Sequence, residues 1–222
     1  MKAILYTEYG SPDVLQLREV EKPTPKENQV LIKVHAASAN ALEWRGFTMP
    51  SLSLLIRLMG GGLFKPKDQK VGVDVAGTVE AVGSNVTEFK PGDEVFGVAP
   101  AAFAEYACNG ESKFALKPAN VSFEAAAAVP VAALTALQGL RDKGQIQPGQ
   151  KVLIDGASGG VGTFAVQIAK SYGAEVTAVC STRNLDMARS IGADYVIDYT
   201  REDFTKNGLR YDLILAVNGN HP

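Results

Sequence analysis

The residues best suited to chemistry lie in the run Ala157-Ser-Gly-Gly-Val-Gly162. This is the G-x-G-x-x-G pattern of a phosphate-binding turn, with alanine in the first position. Gly159 lets the backbone approach an anion closely, and Gly162 lets a following helix pack tightly on the preceding strand. Ala157, Ser158, Gly159, Gly160, Val161 and Gly162 together form the candidate cradle. Unpaired N–H groups at the helix start, with the helix dipole behind them, favour a pyrophosphate. Alone, such a turn is only a tight connection. Its weight comes from context: the apolar run 152–154 precedes it, and Val161, Phe164, Ala165, Ile168 and Ala169 follow at helical spacing.

The kind of dinucleotide is set at the end of the next strand. Sites for NAD place an acid there to accept from the ribose 2′-hydroxyl. Here the chain runs Ala178-Val-Cys-Ser-Thr-Arg-Asn184, without an acid. Ser181 and Thr182 offer hydroxyl groups, and Arg183 offers a cation for a 2′-phosphate. The reading is NADPH; the bland alternative leaves Arg183 as a solvated residue at a helix start.

These residues need a scaffold, and the sequence supplies two kinds. Up to about residue 117 it reads as short strands and turns. Val30, Ile32 and Val34 alternate on one strand face, 71–82 is a strand bent at Gly72 and Gly77 and followed by Gly83, and 94–98 and 103–108 are further strands. A compact β-barrel is expected. From Ser122, a helix cap before 125–129, the pattern changes. Pro130 breaks or kinks that helix, and 131–140 resumes it. Strands at 151–155, 175–179, 195–198 and 211–217 then alternate with helices at 161–171 and 184–190, which implies parallel strands with helical crossovers. The fold class is α/β, with domains at 1–121 and 122–222.

Composition excludes several other classes. The chain has 222 residues, 46% of them hydrophobic, and a net charge of −2, with no basic run to hold nucleic acid. No apolar stretch has the length of a membrane span, and the N-terminus lacks a signal-peptide pattern. Two cysteines, Cys108 and Cys180, share no metal-binding spacing, so a reduced cytoplasmic setting is expected.

Six segments together resemble the medium-chain dehydrogenase/reductase superfamily in its zinc-free quinone oxidoreductase branch. They are Ala36-Ala-Ser-Ala-Asn40, Gly72-Val-Asp-Val-Ala-Gly77 with Val82-Gly83, Lys90-Pro-Gly-Asp-Glu-Val95, Ala102-Phe-Ala-Glu-Tyr106, 126–137 and 155–170, in the family's order. The resemblance implies a GroES-like β-barrel domain followed by a partial Rossmann doubly wound parallel sheet, with the active site in the cleft between them. It places Thr135, Val217 and Asn218 near the nicotinamide and Tyr199 near the 2′-phosphate, or else makes Tyr199 a plain strand-end aromatic. Asn40 either hydrogen-bonds substrate or nicotinamide ribose, or serves as a turn former. Trp44 either walls the substrate pocket or fills the barrel core. Asn40 and Val73 stand where zinc-dependent members carry metal ligands, so no metal is expected.

The implied reaction is hydride transfer from NADPH to a quinone or an α,β-unsaturated carbonyl compound, a small apolar electrophile. The apolar, glycine-containing stretch 52–64 is expected to act as a lid, a core helix or a partner contact. No tyrosine occurs between Tyr9 and Tyr106, so the proton donor of the superfamily's enoyl reductases has no counterpart, though that activity stays an alternative. A nucleotide-binding sensor or structural relative without turnover is another. Relatives have six-stranded sheets, and this sequence stops after the fourth strand, so a C-terminal truncation is expected. Strand 211–217 would then lie at a sheet edge, inviting pairing with another chain, a homo-oligomer or aggregate of weak activity.

Overall fold

The computed structural model describes residues 1–41, 43 and 70–217. Trp44, the stretch 52–64 and Asn218 with its neighbours to 220 lie outside the described residues. The chain divides into two compact units, Met1–Val131 and Ala132–Pro222.

The first unit is built from antiparallel strands: β1 (Lys2–Tyr6), β2 (Leu15–Glu19), β3 (Gln29–Ser38), β4 (Asp74–Val82), β5 (Glu94–Val98), β6 (Tyr106–Gly110) and β7 (Phe114–Leu116). β1 and β2 form a ribbon, and the other five make one sheet in the order β6-β3-β4-β5-β7. Val30, Ile32, Val75, Val79 and Val95 are buried on its inner face with Phe89 and Phe114. Branched side chains suit this pleated, close-packed position. The alternation expected at Val30, Ile32 and Val34 is present, although Leu31 is buried too.

The strand expected at 103–108 begins later, at Tyr106. Its first part pairs with β1: Ile4 N–H donates to Phe103 O at 2.8 Å and Glu105 N–H to Lys2 O at 3.0 Å. Glu105 O still accepts from Val34 N–H of β3 at 3.0 Å, so this first part is shared between β1 and β3. β1, β2 and β7 have no counterpart in the sequence reading; Leu17 on β2 and Leu116 on β7 are solvent-exposed, so their apolar pattern is weak.

Helix α1 (Phe123–Ala127) is capped as expected, with Ser122 Oγ accepting from Ala125 N–H at 3.2 Å. Pro130 ends that run and opens α2 (Pro130–Leu137), since a proline at a first helical position loses no internal hydrogen bond.

The second unit is a parallel sheet of β8 (Lys151–Asp155), β9 (Glu175–Cys180), β10 (Tyr195–Asp198) and β11 (Leu213–Ala216), ordered β10-β9-β8-β11. Helix α3 (Gly160–Ser171) covers one face, and α4 (Leu185–Ser190) connects β9 to β10. Val152, Ile154, Val176 and Ala178 meet Ala165, Val166 and Ala169 of α3 in a shared core. Val166, absent from the expected stripe, is fully buried, while Phe164 and Ile168 are only partly so. The small Ala165 and Ala169 let the helix settle with Val166 turned inward. Leu153, Val179 and Ile197 fill the opposite face, so the strands are buried on both sides, as parallel sheets require. Among the described residues, no helix is long and apolar enough to cross a membrane.

Candidate functional site

In the second unit, β8 ends at the buried Asp155, and the chain turns at Gly156, whose φ of +79° few other residues adopt without strain. The left-handed residue of this turn is therefore Gly156, not Ala157. Ala157 is fully buried, and its N–H donates to Val179 O at 3.1 Å, so that donor is not available to a ligand. Ser158 is half-buried, while Gly159 and Gly160 are exposed.

The glycines of the turn have different causes. A Cβ on Gly162 would lie 2.1 Å from Gly156 O and 2.7 Å from Ala157 Cα. Gly162 is thus dictated by the packing of α3 on its own turn. A Cβ on Gly159 would meet nothing nearer than 3.4 Å, and one on Gly160 nothing nearer than 3.9 Å. Protein packing does not require glycine at these two places; a ligand approaching the backbone would. Gly159 is the N-cap of α3, and no side chain caps the first turn. The leading N–H groups of Gly160, Val161 and Gly162 have no partner within the helix. A bare, exposed helix start with two residues lacking Cβ fits a pyrophosphate in shape and in charge.

Thr135 lies on the exposed side of α2. It is one turn beyond Ala132, the side chain nearest to Gly160. Val217, just past β11, donates its N–H to Asp155 O at 3.0 Å, which sets it beside the end of β8.

The end of β9 leads into a tight turn with Ser181 as its N-cap and residues Thr182–Asn184 within it. Ser181 Oγ accepts from Asn184 Nδ2 at 3.2 Å and keeps its own proton for a further acceptor. Arg183 is exposed. Thr182 is engaged differently, because its hydroxyl donates to the buried carboxylate of Asp198. Asp198 ends the neighbouring strand β10 and pairs in register with Cys180. An acid therefore does stand beside the turn, brought by the adjacent strand. Scanning the end of β9 alone misses it; the pairing of the second and third strands in a parallel sheet could have found it. Thr182, then Thr200, hold the Asp198 carboxyl below its ordinary value by donating to it. Tyr199 follows Asp198, is largely exposed, and donates its N–H to Cys180 O at 3.3 Å.

In the first unit, Asn40 just after β3 donates from Nδ2 to Asp74 Oδ2 at 3.1 Å, and its N–H donates to Glu43 Oε2 at 2.6 Å. Asp74, the first residue of β4, is fully buried. It also accepts from Ser38 Oγ at 3.1 Å and from Val131 N–H, near the start of α2, at 3.1 Å. Burial raises the Asp74 carboxyl above its ordinary value, against the pull of Asn40, Ser38 and Val131.

Comparison with known proteins adds the following. The alcohol dehydrogenase GroES-like domain family matches residues 26–139, and the zinc-binding dehydrogenase family matches residues 160–219. A 2-methylene-furan-3-one reductase of Solanum lycopersicum is 42% identical over 96% of this chain and 56% of its own length. An NADPH-dependent alkenal/one oxidoreductase of Arabidopsis thaliana, named as chloroplastic, is 39% identical over 99% of this chain and 58% of its own. The chain thus spans little more than half the length of these relatives. The solved quinone oxidoreductase of Coxiella burnetii superposes with a TM-score of 0.84 at 36% identity, covering 97% of this chain and 68% of that one.

Proposed function

The chain belongs to the alcohol dehydrogenase GroES-like family of the medium-chain dehydrogenase/reductases, and from that premise we propose that it serves NADPH-dependent reduction of quinones or α,β-unsaturated carbonyl compounds. The observation that carries this reading is the uncapped start of α3, where Gly159 and Gly160 leave open the space a phosphate must enter. NADPH, when bound, supplies hydride to an electron-poor carbon.

The chain's own residues have the tasks of binding and orientation. Gly160, Val161 and Gly162 hold the pyrophosphate through their N–H groups, flanked by Ala157, Ser158 and Gly159. Ser181 and Arg183 receive the 2′-phosphate, with Thr182 and Tyr199 shaping that side. Thr135 and Val217 line the nicotinamide end. Asn40 turns its amide nitrogen to Asp74, which leaves its carbonyl oxygen to accept a hydrogen bond from a ligand hydroxyl. With Cys108 and Cys180 both free, the chain suits a reducing compartment, and we assign it to the cytoplasm.

The test is NADPH oxidation followed at its nicotinamide absorbance with benzoquinones, naphthoquinones, alkenals and alkenones. Turnover with at least one of these and tighter binding of NADPH than NADH are expected. Nucleotide binding without turnover on any of them would make the chain a binder and overturn the reading.

A further inference from the structure

We propose that Asp198 is a positioning residue for cofactor discrimination: it anchors the Thr182–Asn184 turn so that Ser181 and Arg183 are held where a 2′-phosphate arrives. This rests on the NADPH reading above.

The geometry is that of a staple between two strand ends. β9 and β10 finish side by side, with Cys180 opposite Asp198. The ribose of a dinucleotide lies at the end of the second strand of such a sheet. Asp198 sends its carboxylate across to the hydroxyl of Thr182, the first residue of the turn that carries Arg183. From the turn that follows its own strand it accepts from Thr200 N–H at 3.0 Å and from Thr200 Oγ1 at 2.7 Å. Thr182 Oγ1 and Thr200 Oγ1 lie 3.2 Å apart, and Arg201 Nε stands 3.6 Å from Asp198 Oδ2. One buried carboxylate therefore ties the turn after β9 to the turn after β10.

This arrangement excludes two simpler roles. An acid that accepts from a ribose 2′-hydroxyl must present an accessible oxygen, but Asp198 is buried with its oxygens turned to Thr182 and Thr200. A bare carboxylate would also repel a 2′-phosphate. Here the donors around Asp198, with the Arg201 guanidinium beside it, offset that charge. Thr182 gives its only hydroxyl proton to Asp198, so it acts on the phosphate by fixing the turn and not by donating to it.

The experiment measures dissociation constants for NADPH and NADH, by nucleotide fluorescence, on the full chain and on Asp198→Ala, Thr182→Val, their double variant and Asp198→Asn. The parent should prefer NADPH; a parent without that preference overturns the NADPH reading, and this inference falls with it. Given the preference, Asp198→Ala and Thr182→Val should each weaken NADPH by about tenfold and NADH by less than about twofold. The double variant should be no worse than either alone, since both break one link. Asp198→Asn should stay within about threefold of the parent, because an amide can still bridge Thr182 and Thr200. Equal loss of both nucleotides, or an unchanged ratio in a folded Thr182→Val variant, would show that Asp198 only supports the fold. If Asp198→Ala does not fold, Thr182→Val decides the matter by the same ratio.

Discussion

Asn40 Nδ2 donates to Asp74 Oδ2 at 3.1 Å, and this bond settles which end of the Asn40 carboxamide faces away from the sheet. It also ties the stability of the first unit to a buried acid. In the folded chain burial holds Asp74 above its unfolded value of 3.8, so the folded state takes up the proton first as pH falls. Asp198 has the opposite sign: its folded value lies below 3.8, so its contribution is present above that pH and is lost as pH falls through the folded value. Urea unfolding from neutral pH down through the carboxylate range should show this. The parent should gain stability relative to Asp74→Asn and lose it relative to Asp198→Asn. The same trend for both variants would contradict these assignments.

Gly162 and Gly159 should respond differently to added side chains. Gly162→Ala forces a methyl to 2.1 Å from Gly156 O. That strain should destabilise the chain by about 1–3 kcal/mol. Gly159→Val falls at an exposed position where its Cβ would meet nothing nearer than 3.4 Å. It should fold with an unchanged melting temperature yet bind NADPH about tenfold more weakly or worse. Calorimetry and fluorescence titration read the two effects separately. Undiminished affinity in a folded Gly159→Val chain would reduce the turn to a structural connection.

Arg183 is exposed at the turn after β9 and supplies the cation there. Arg183→Ala should cost NADPH binding about 1.5–3 kcal/mol and leave NADH nearly unaffected. The loss should shrink at high salt, where charge pairs at the surface are screened. Isothermal titration with both nucleotides checks this, and equal weakening of the two would count against the role.

Chelation should leave fold and NADPH oxidation unchanged. Val73 offers no ligand atom, the Asn40 nitrogen is turned to Asp74, and the Asp74 carboxylate is occupied by Asn40, Ser38 and Val131. Exhaustive dialysis against a strong chelator, followed by metal analysis and assay, is the measurement. Stoichiometric zinc whose removal abolishes turnover would refute the donor-set argument.

The sequence by itself determined the elements whose pattern is local. Strands at Glu94–Val98, Lys151–Asp155 and Tyr195–Asp198 and the helix Gly160–Ser171 are legible because apolar spacing, turn residues and caps act within a few residues. The strand, glycine turn and helix around residues 156–162 are legible for the same reason, since they are consecutive. What only the tertiary structure decided are the partners of buried acids. Asp198 meets Thr182 across 16 residues of chain, and Asp74 meets Asn40 across 34 and Val131 across 57. Thr182 and Asn40 are far from their acids in sequence, and the pairing of β9 with β10 and of β3 with β4 is what brings them together. The sharing of 103–105 between β1 and β3 and the burial of Val166 are likewise decided by packing: strand pairing in one case, the close seat of a small-residue helix on the sheet in the other. Local periodicity specifies which face of an element is apolar, whereas register and packing specify which polar group finds which partner, and those are set only when the strands pair.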